Sequence, residues 1–266
     1  MEATDFNNIV VIGKEKLSLE QFYNVAVNNF SVDIDADSMM KIQKSREAVK
    51  QIIDSGEIVY GINTGFGSLS NKIISEKDLE TLQRNLIVSH AIGCGDPTPK
   101  EVVRGMLLLR LVCICQGHSG VRPIVAETLV HALNKNYIPY VPKLGTVGAS
   151  GDLAPLSHLI MSMIGEGLAY DFETNKYIEA KKVMTKLNIK PLVLKAKEGL
   201  ALNNGTQFIT SYTALATYHA NKLLDISNKV AALSVEALHG VNKAFDEKIH
   251  LAKPHSGQIY VAKQMA

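Results

Sequence analysis

The chain has no tryptophan, only three cysteines and no apolar run long enough to span a bilayer. Each shortage narrows what it can be. Cys94, Cys113 and Cys115 are odd in number and form no C-x-x-C pair, which argues against a disulfide framework or a zinc site and for a reducing compartment. The greasiest stretch, "MLLLRLVCIC", is interrupted by Arg110 and is too short for a membrane helix. "MEATDFNN" lacks a basic segment followed by an apolar one, so no secretory leader is visible. Neither sign of charge is in excess: 28 Lys and Arg stand against 26 Asp and Glu. There is therefore no nucleic-acid footprint and no acidic tail. The expectation is a cytoplasmic protein with no membrane or nucleic-acid partner. Its 266 residues and 46% apolar content allow one large domain or two smaller ones around a sizeable core.

Glycine and proline are missing from Thr206 to His239. A helix of that length would run about 50 Å, which belongs to a bundle or coiled coil. Earlier helices are marked by their starts. Ser75 with Asp78 resembles a capping box, and Leu79, Leu82 and Leu86 follow at helical spacing. Thr98 reads as an N-cap with Pro99 at the first helical position, in front of an apolar run reaching Gly117. Pro123 opens another helix, and Asp152 is a good N-cap for "LAPLSHLIMSMIGEG". Strand signals are few: "KLSLE", "EIVYGI" and "YIPYV". The fold class expected is mainly α: a helical domain with a few short strands over 1–205, then the first long helix of a bundle over 206–266. After "KPHSGQ" the helical pattern begins again. A lone bundle helix cannot bury its faces, so partner chains complete it or the chain is a fragment.

The glycine-rich stretches fail the common tests. Gly145, Gly148 and Gly151 are spaced G-x-x-G-x-x-G, and "GFGSLS" has Ser70 where a dinucleotide fingerprint needs its third glycine. No Gly-Lys-Ser/Thr follows a glycine loop, and "GASGD" lacks the residue after Ser150 that a G-x-S-x-G elbow requires. By itself the stretch is a tight turn before a capped helix.

"GTVGASGDLAPLSH" does not stand alone. Together with "VYGINTGFG" (59–67), "QRNLIVSHAIG" (83–93), "HSGVRP" (118–123) and "EGLALNNGTQ" (198–207), it resembles the aromatic amino-acid ammonia-lyases, in order and in spacing. The likeness covers essentially the whole chain but only about the N-terminal half of a typical member. It implies the ammonia-lyase/aspartase-like helical bundle, here incomplete. It also implies a prosthetic group, 4-methylidene-imidazol-5-one, made autocatalytically from Ala149, Ser150 and Gly151, with no metal and no nucleotide. By this resemblance the Gly151 nitrogen attacks the Ala149 carbonyl carbon, one water leaves as the ring closes, and loss of the Ser150 hydroxyl as a second water leaves a methylene. Glycine at the attacking position and alanine at the other allow the close approach.

Such an electrophile suits deamination, because the β-proton of an amino acid is hardly acidic and an amine leaves poorly. Tyr60 matches the family's catalytic tyrosine, the base for that proton. A phenol keeps its proton in neutral water, so the site must lower its pKa or drive transfer by positioning. Asn204 matches the asparagine near the substrate amine, carboxylate and ring. Alone, Tyr60 would be a half-buried tyrosine at a strand end and Asn204 half of an Asn-Gly turn.

Ser89 and His90 continue the face of Leu79, Leu82 and Leu86, where periodicity expects apolar residues. Alone they read as a core pair with satisfied hydrogen bonds. By the resemblance they bind substrate: histidine-type members carry Ser-His here, tyrosine-type members often His-Leu, phenylalanine-type members Phe-Leu. The expected reaction is L-histidine to trans-urocanate and ammonia. The alternatives are a tyrosine or phenylalanine lyase or aminomutase on the same group, or a non-catalytic helical assembly module. A homotetramer is implied for the complete protein, with a further tyrosine, arginine and glutamate from sequence beyond Ala266. The isolated chain is expected to be inactive. His118, His158 and His239 fit no metal spacing, and Cys113 and Cys115 read as core residues.

Overall fold

The computed structural model describes residues 8–67, 70, 72 and 74–266. Residues 1–7 of "MEATDFNN", and part of the loop from Gly65 to Ser70, lie outside them. The chain divides into two compact units, Met1–Ala214 and Leu215–Ala266.

The first unit opens with strand β1 (Ile9–Ile12), helix α1 (Leu19–Ala26) and strand β2 (Ser31–Ile34), the strands pairing in parallel from Ile9↔Ser31 to Ile12↔Ile34. "KLSLE", expected as a strand, instead starts α1. Ser18 and Gln21 form a full capping box there, with Ser18 Oγ accepting the Gln21 N–H at 3.1 Å and Gln21 Oε1 accepting the Ser18 N–H at 2.9 Å. Helix α2 (Ala36–Ser55) starts at Asp35, whose carboxylate accepts the N–H groups of Asp37 and Ser38. "EIVYGI" is a turn and not a strand: Asn63 folds back, its Oδ1 accepting the Val59 N–H at 2.9 Å.

Helix α3 (Glu76–His90) begins after Ser75, but the capping box read there does not form. The Ser75 hydroxyl donates to the Asp78 carboxylate at 2.6 Å instead. Strand β3 (Cys94–Pro97) leads into helix α4 (Lys100–Cys115), with Pro99 and not Thr98 at the cap. Just past the strand, the Thr98 N–H donates to the Val141 carbonyl at 2.8 Å. Helix α5 (Pro123–Asn134) opens at Pro123 as expected. Strand β4 (Pro142–Leu144) pairs antiparallel with β3. "YIPYV" is buried at Tyr137, Ile138 and Val141 yet makes only an isolated bridge, Pro139 to Ala169; a proline has no N–H for a ladder. Helix α6 (Leu153–Met163), the hairpin of β5 (Leu168–Asp171) and β6 (Lys176–Glu179), and helices α7 (Ala180–Lys186) and α8 (Glu198–Asn203) complete the series.

Helix α4 is the core. Val103, Met106, Leu107, Leu108 and Leu111 are fully buried, and it packs against α1, α2, α5 and α6. Fully burying one such side chain contributes roughly 1.5–3 kcal/mol. Of the two cysteines read as core, only Cys115 is buried; Cys113 is exposed. Burial, with help from Asp35, pushes the Cys115 thiol up to about 12. Helices α3, α6 and α8 pack on one another, and the β3–β4 pair brings the end of α3 to the loop before α6.

Helix α9 (Gln207–Ala237) runs 31 residues without a break, as the missing glycine and proline predict. It starts in the first unit and supplies the longest element of the second. There a 3-10 turn (Asn242–Phe245) and helices α10 (Glu247–Leu251) and α11 (Ser256–Met265) follow. Tyr260 of α11 donates to Asp225 of α9 at 2.8 Å. Leu223, Leu224, Ile226, Val230 and Leu233 are exposed along α9.

Candidate active site

The loop between β4 and α6 has an uncommon backbone. Gly148 has φ +73, Ser150 φ +68 and Gly151 φ +98. Ser150 carries a Cβ into the left-handed region, which few non-glycine residues enter. Gly148 and Gly151 bridge each other antiparallel, so the chain reverses within the Ala149–Ser150–Gly151 triplet. A Cβ on Gly151 would strike the carbonyl oxygen of Gly205, so only glycine lets this loop close on the turn that follows α8. These features fit the group expected from the triplet: a bent backbone, an attacking residue without Cβ and an exposed serine.

Asn204 stands at the end of α8. Its side-chain amide donates to Ser150 Oγ at 3.2 Å, and the Ser150 hydroxyl lies 3.4 Å from Asn204 Oδ1. The two segments are held together beside this contact. The Asp152 N–H donates to the Gly205 carbonyl at 2.7 Å. Asp152, 3% exposed, occupies the N-cap position of α6 but makes no side-chain cap there, contrary to the sequence reading. Its carboxylate accepts the Thr146 hydroxyl at 2.9 Å and the Ile209 N–H at 3.0 Å. It thus caps the first turn of α9.

Ser89 and His90 close α3. The Ser89 hydroxyl donates to the Leu86 carbonyl at 3.1 Å, and His90 Nδ1 approaches the same oxygen at 2.8 Å. A carbonyl only accepts, so this contact is a hydrogen bond when Nδ1 carries a proton, and Ser89 Oγ also lies 3.1 Å from that nitrogen. Leu79 and Leu86 are buried, but Ser89 is exposed and His90 half-buried. The pair is a rim and not a core continuation, because α3 ends at His90 and the chain turns away. Past the helix end, the Gly93 N–H donates to His158 Nε2 of α6 at 3.0 Å. Burial holds the His158 pKa below its ordinary value.

Tyr60 is 57% exposed in a turn, edge-on to Phe66 with ring centroids 6.3 Å apart. It is neither half-buried nor at a strand end. Its neighbour Gly61 lies against Leu200 of α8. Among the described residues no hydrogen bond joins Tyr60 to Ser150, Asn204 or His90. The structure thus brings Ser150 and Asn204 into contact, keeps Ser89 and His90 as a separate pair, and leaves the Tyr60 phenol open to solvent.

Sequence reasoning gave no role to Arg110, Gln207 or Gly205. Arg110 is buried, and its guanidinium bonds the Asn204 carbonyl and the Gln207 side chain. The signal was a charge inside an apolar run, since a buried charge needs acceptors.

The family profile for aromatic amino acid lyases matches residues 17–266. A histidine ammonia-lyase of Alkaliphilus metalliredigens is 45% identical over 256 residues, 96% of this chain and 50% of that protein. The crystal structure of histidine ammonia-lyase from Trypanosoma cruzi matches with a TM-score of 0.90 and 38% identity, covering 97% of this chain and 49% of that one. Tyrosine aminomutase from Streptomyces globisporus gives the same TM-score of 0.90 at 36% identity, covering 96% and 48%, so backbone shape does not separate these activities. The chain spans about half the length of the curated relatives it matches. The mainly α architecture is the ammonia-lyase/aspartase-like helical fold. By its matched span and its identity to these relatives, the chain belongs to the aromatic amino acid lyase family.

Proposed function

We propose that this chain carries the electrophile-bearing part of a histidine ammonia-lyase, which removes ammonia from L-histidine without oxidation to give trans-urocanate. The observation that carries the reading is the Ser150–Asn204 contact on a left-handed serine between Gly148 and Gly151. Ala149, Ser150 and Gly151 are the residues that would form 4-methylidene-imidazol-5-one. That group supplies an electrophilic carbon, which no ordinary side chain offers.

The chain's own residues have separate tasks in this reading. Asn204 holds Ser150 Oγ through its amide N–H, and its Oδ1 remains able to accept from a substrate amine. Loop 145–152 ends where α6 begins, and the partial positive charge of that N-terminus favours negative charge in the loop. Tyr60, open to solvent, is the base for the β-proton. His90 in its neutral Nδ1-protonated tautomer presents Nε2 as an acceptor for an imidazole N–H, and both the Leu86 carbonyl and Ser89 Oγ can accept from Nδ1. A phenol-bearing substrate could also donate to Nε2, but a phenyl ring could not.

The same reading includes a prosthetic-group domain over 1–205, a bundle part over 206–266 and a homotetramer in the complete protein. The exposed leucines of α9 support association, because apolar faces of this kind are rarely left in water. Three free cysteines support a cytoplasmic setting.

The test is an intact mass of the purified chain, followed by a urocanate assay with L-histidine beside a full-length relative. A loss of two waters, about 36 Da, marks the closed ring. A chain at its full sequence mass rejects the ring reading and favours a non-catalytic helical module. A closed ring, with the complete protein turning over tyrosine but not histidine, favours the tyrosine-type reading.

A further inference from the structure

Arg110 is a buried cation that none of the proposed steps uses. It lies on α4 with 1% of its surface exposed, and no carboxylate bonds to it among the described residues. Its acceptors all belong to the segment around Asn204. Nη1 donates to the Ala201 carbonyl at 2.9 Å and the Asn204 carbonyl at 3.2 Å. Nη2 donates to the Asn204 carbonyl at 3.2 Å and to Gln207 Oε1 at 2.6 Å. The carbonyls ending a helix have no intrahelical donors and carry partial negative charge, so a cation at the end of α8 meets both needs.

We propose that Arg110 is a positioning residue: it fixes the backbone of Asn204 so that the side-chain amide is aimed at Ser150. The inference rests on the ring-forming reading of the Ser150 loop.

The neighbouring glycine shows how tightly this is built. A Cβ on Gly205 would lie 2.6 Å from Arg110 Nη2. On the other side, the Gly205 carbonyl accepts the Asp152 N–H at 2.7 Å and touches the space a Gly151 side chain would need. The guanidinium, Gly205 and the Gly151 backbone are therefore in successive contact. With the Asn204 carbonyl gripped by both terminal nitrogens, only side-chain rotation is left to set the amide. The planar fork of arginine reaches three acceptors at once, whereas lysine offers a single point charge. The arrangement has a cost: burial brings the Arg110 pKa down to about 10, and its Nε has no acceptor among the described residues.

The test is hydrogen exchange on the 266-residue chain, resolved to single amides, in the parent, Arg110→Lys and Gln207→Ala. The reporters are the Asp152 N–H, held by Gly205, and the Ile209 N–H, held by the Asp152 carboxylate. Interior amides of α5 are the internal reference. We expect both reporters to exchange roughly tenfold faster relative to α5 in Arg110→Lys, the size of one lost charge-assisted hydrogen bond. Gln207→Ala should shift them the same way by less. An unchanged ratio in both variants, or α5 accelerating in parallel, overturns the positioning role, the latter because it marks general loss of stability. If Arg110→Lys does not fold, the Gln207→Ala ratio decides. Intact masses of the same samples judge the ring reading separately: a parent chain without water loss rejects that reading, while the exchange ratios still decide Arg110.

Discussion

The carboxylate of Asp152 accepts the backbone N–H of Ile209 at 3.0 Å, although Asp152 itself precedes a different helix. One side chain therefore ties the Ser150 loop to the start of α9. Both carboxylate oxygens are used, the second by the Thr146 hydroxyl. Asp152→Ala removes both acceptors and leaves the Ile209 N–H and the Thr146 hydroxyl without their partner. We expect a loss of about 1–3 kcal/mol in urea unfolding, the cost of a buried unsatisfied polar group. A stability equal to the parent's would show that the loop is held without this tie.

Ser150→Ala removes one exposed hydroxyl and should leave folding nearly unchanged. It should also abolish the loss of two waters. Mass spectrometry and a melting curve on the same preparation check both halves. A variant that still loses both waters would refute formation of the ring at Ser150.

Glu198 is fully buried against Arg122, with Nη2 to Oε2 at 2.8 Å. It also accepts the Arg122 and Lys195 backbone N–H groups. Glu198→Ala should cost about 3 kcal/mol or more, because it leaves a partly buried guanidinium and two backbone donors unpaired. Denaturant titration measures this. A loss within ~0.5 kcal/mol, typical of an exposed site, would mean that the pair relaxes into solvent.

His90→Phe removes the only Nε2 acceptor in the Ser89–His90 pair. In an assembly that turns over L-histidine, kcat/KM for histidine should fall at least about tenfold more than that for phenylalanine. An unchanged preference would reduce His90 to a helix-end residue bonded to Leu86.

His158 gives the fold a pH dependence. Burial lowers its folded pKa from the ordinary 6.5, so the unfolded chain binds the proton more readily. Its contribution is therefore fully present above that ordinary value. It is lost as pH falls from there toward the folded pKa. The melting temperature should drop with acidification below about 6.5, and His158→Gln should flatten that part of the curve. An identical slope in the variant would assign the acid sensitivity to other groups.

The fold was legible where chemistry is local. The missing glycine and proline announced α9, and Pro123 announced α5. "KLSLE" misled because a few alternating residues fit either period, while the deciding Ser18–Gln21 box runs one residue past it. Helix α2 went unread despite Asp35 at its start and Gly56 at its end, because its apolar residues are diluted by charges. At the site, Ser150 and Asn204 were grouped only by resemblance, since they lie in separate motifs. The ties from Arg110 and Asp152 join side chains to distant backbone, and no pattern of residue types reveals which carbonyl a buried cation will find. Arg110 betrayed only its need for one.

The left-handed backbone of Ser150 also sets an order of events in time. In a disordered chain that conformation is rare and short-lived, whereas folding holds it continuously between Gly148 and Gly151. The ordering entropy is thus met once, by the cooperative collapse of the whole unit, and not again by each attempt at bond formation. Any covalent change in the triplet must then follow folding, at a rate proportional to the folded population. A freshly synthesised molecule and an aged one would differ in mass while sharing the same fold, so the modified fraction would serve as a clock started when the chain first folds.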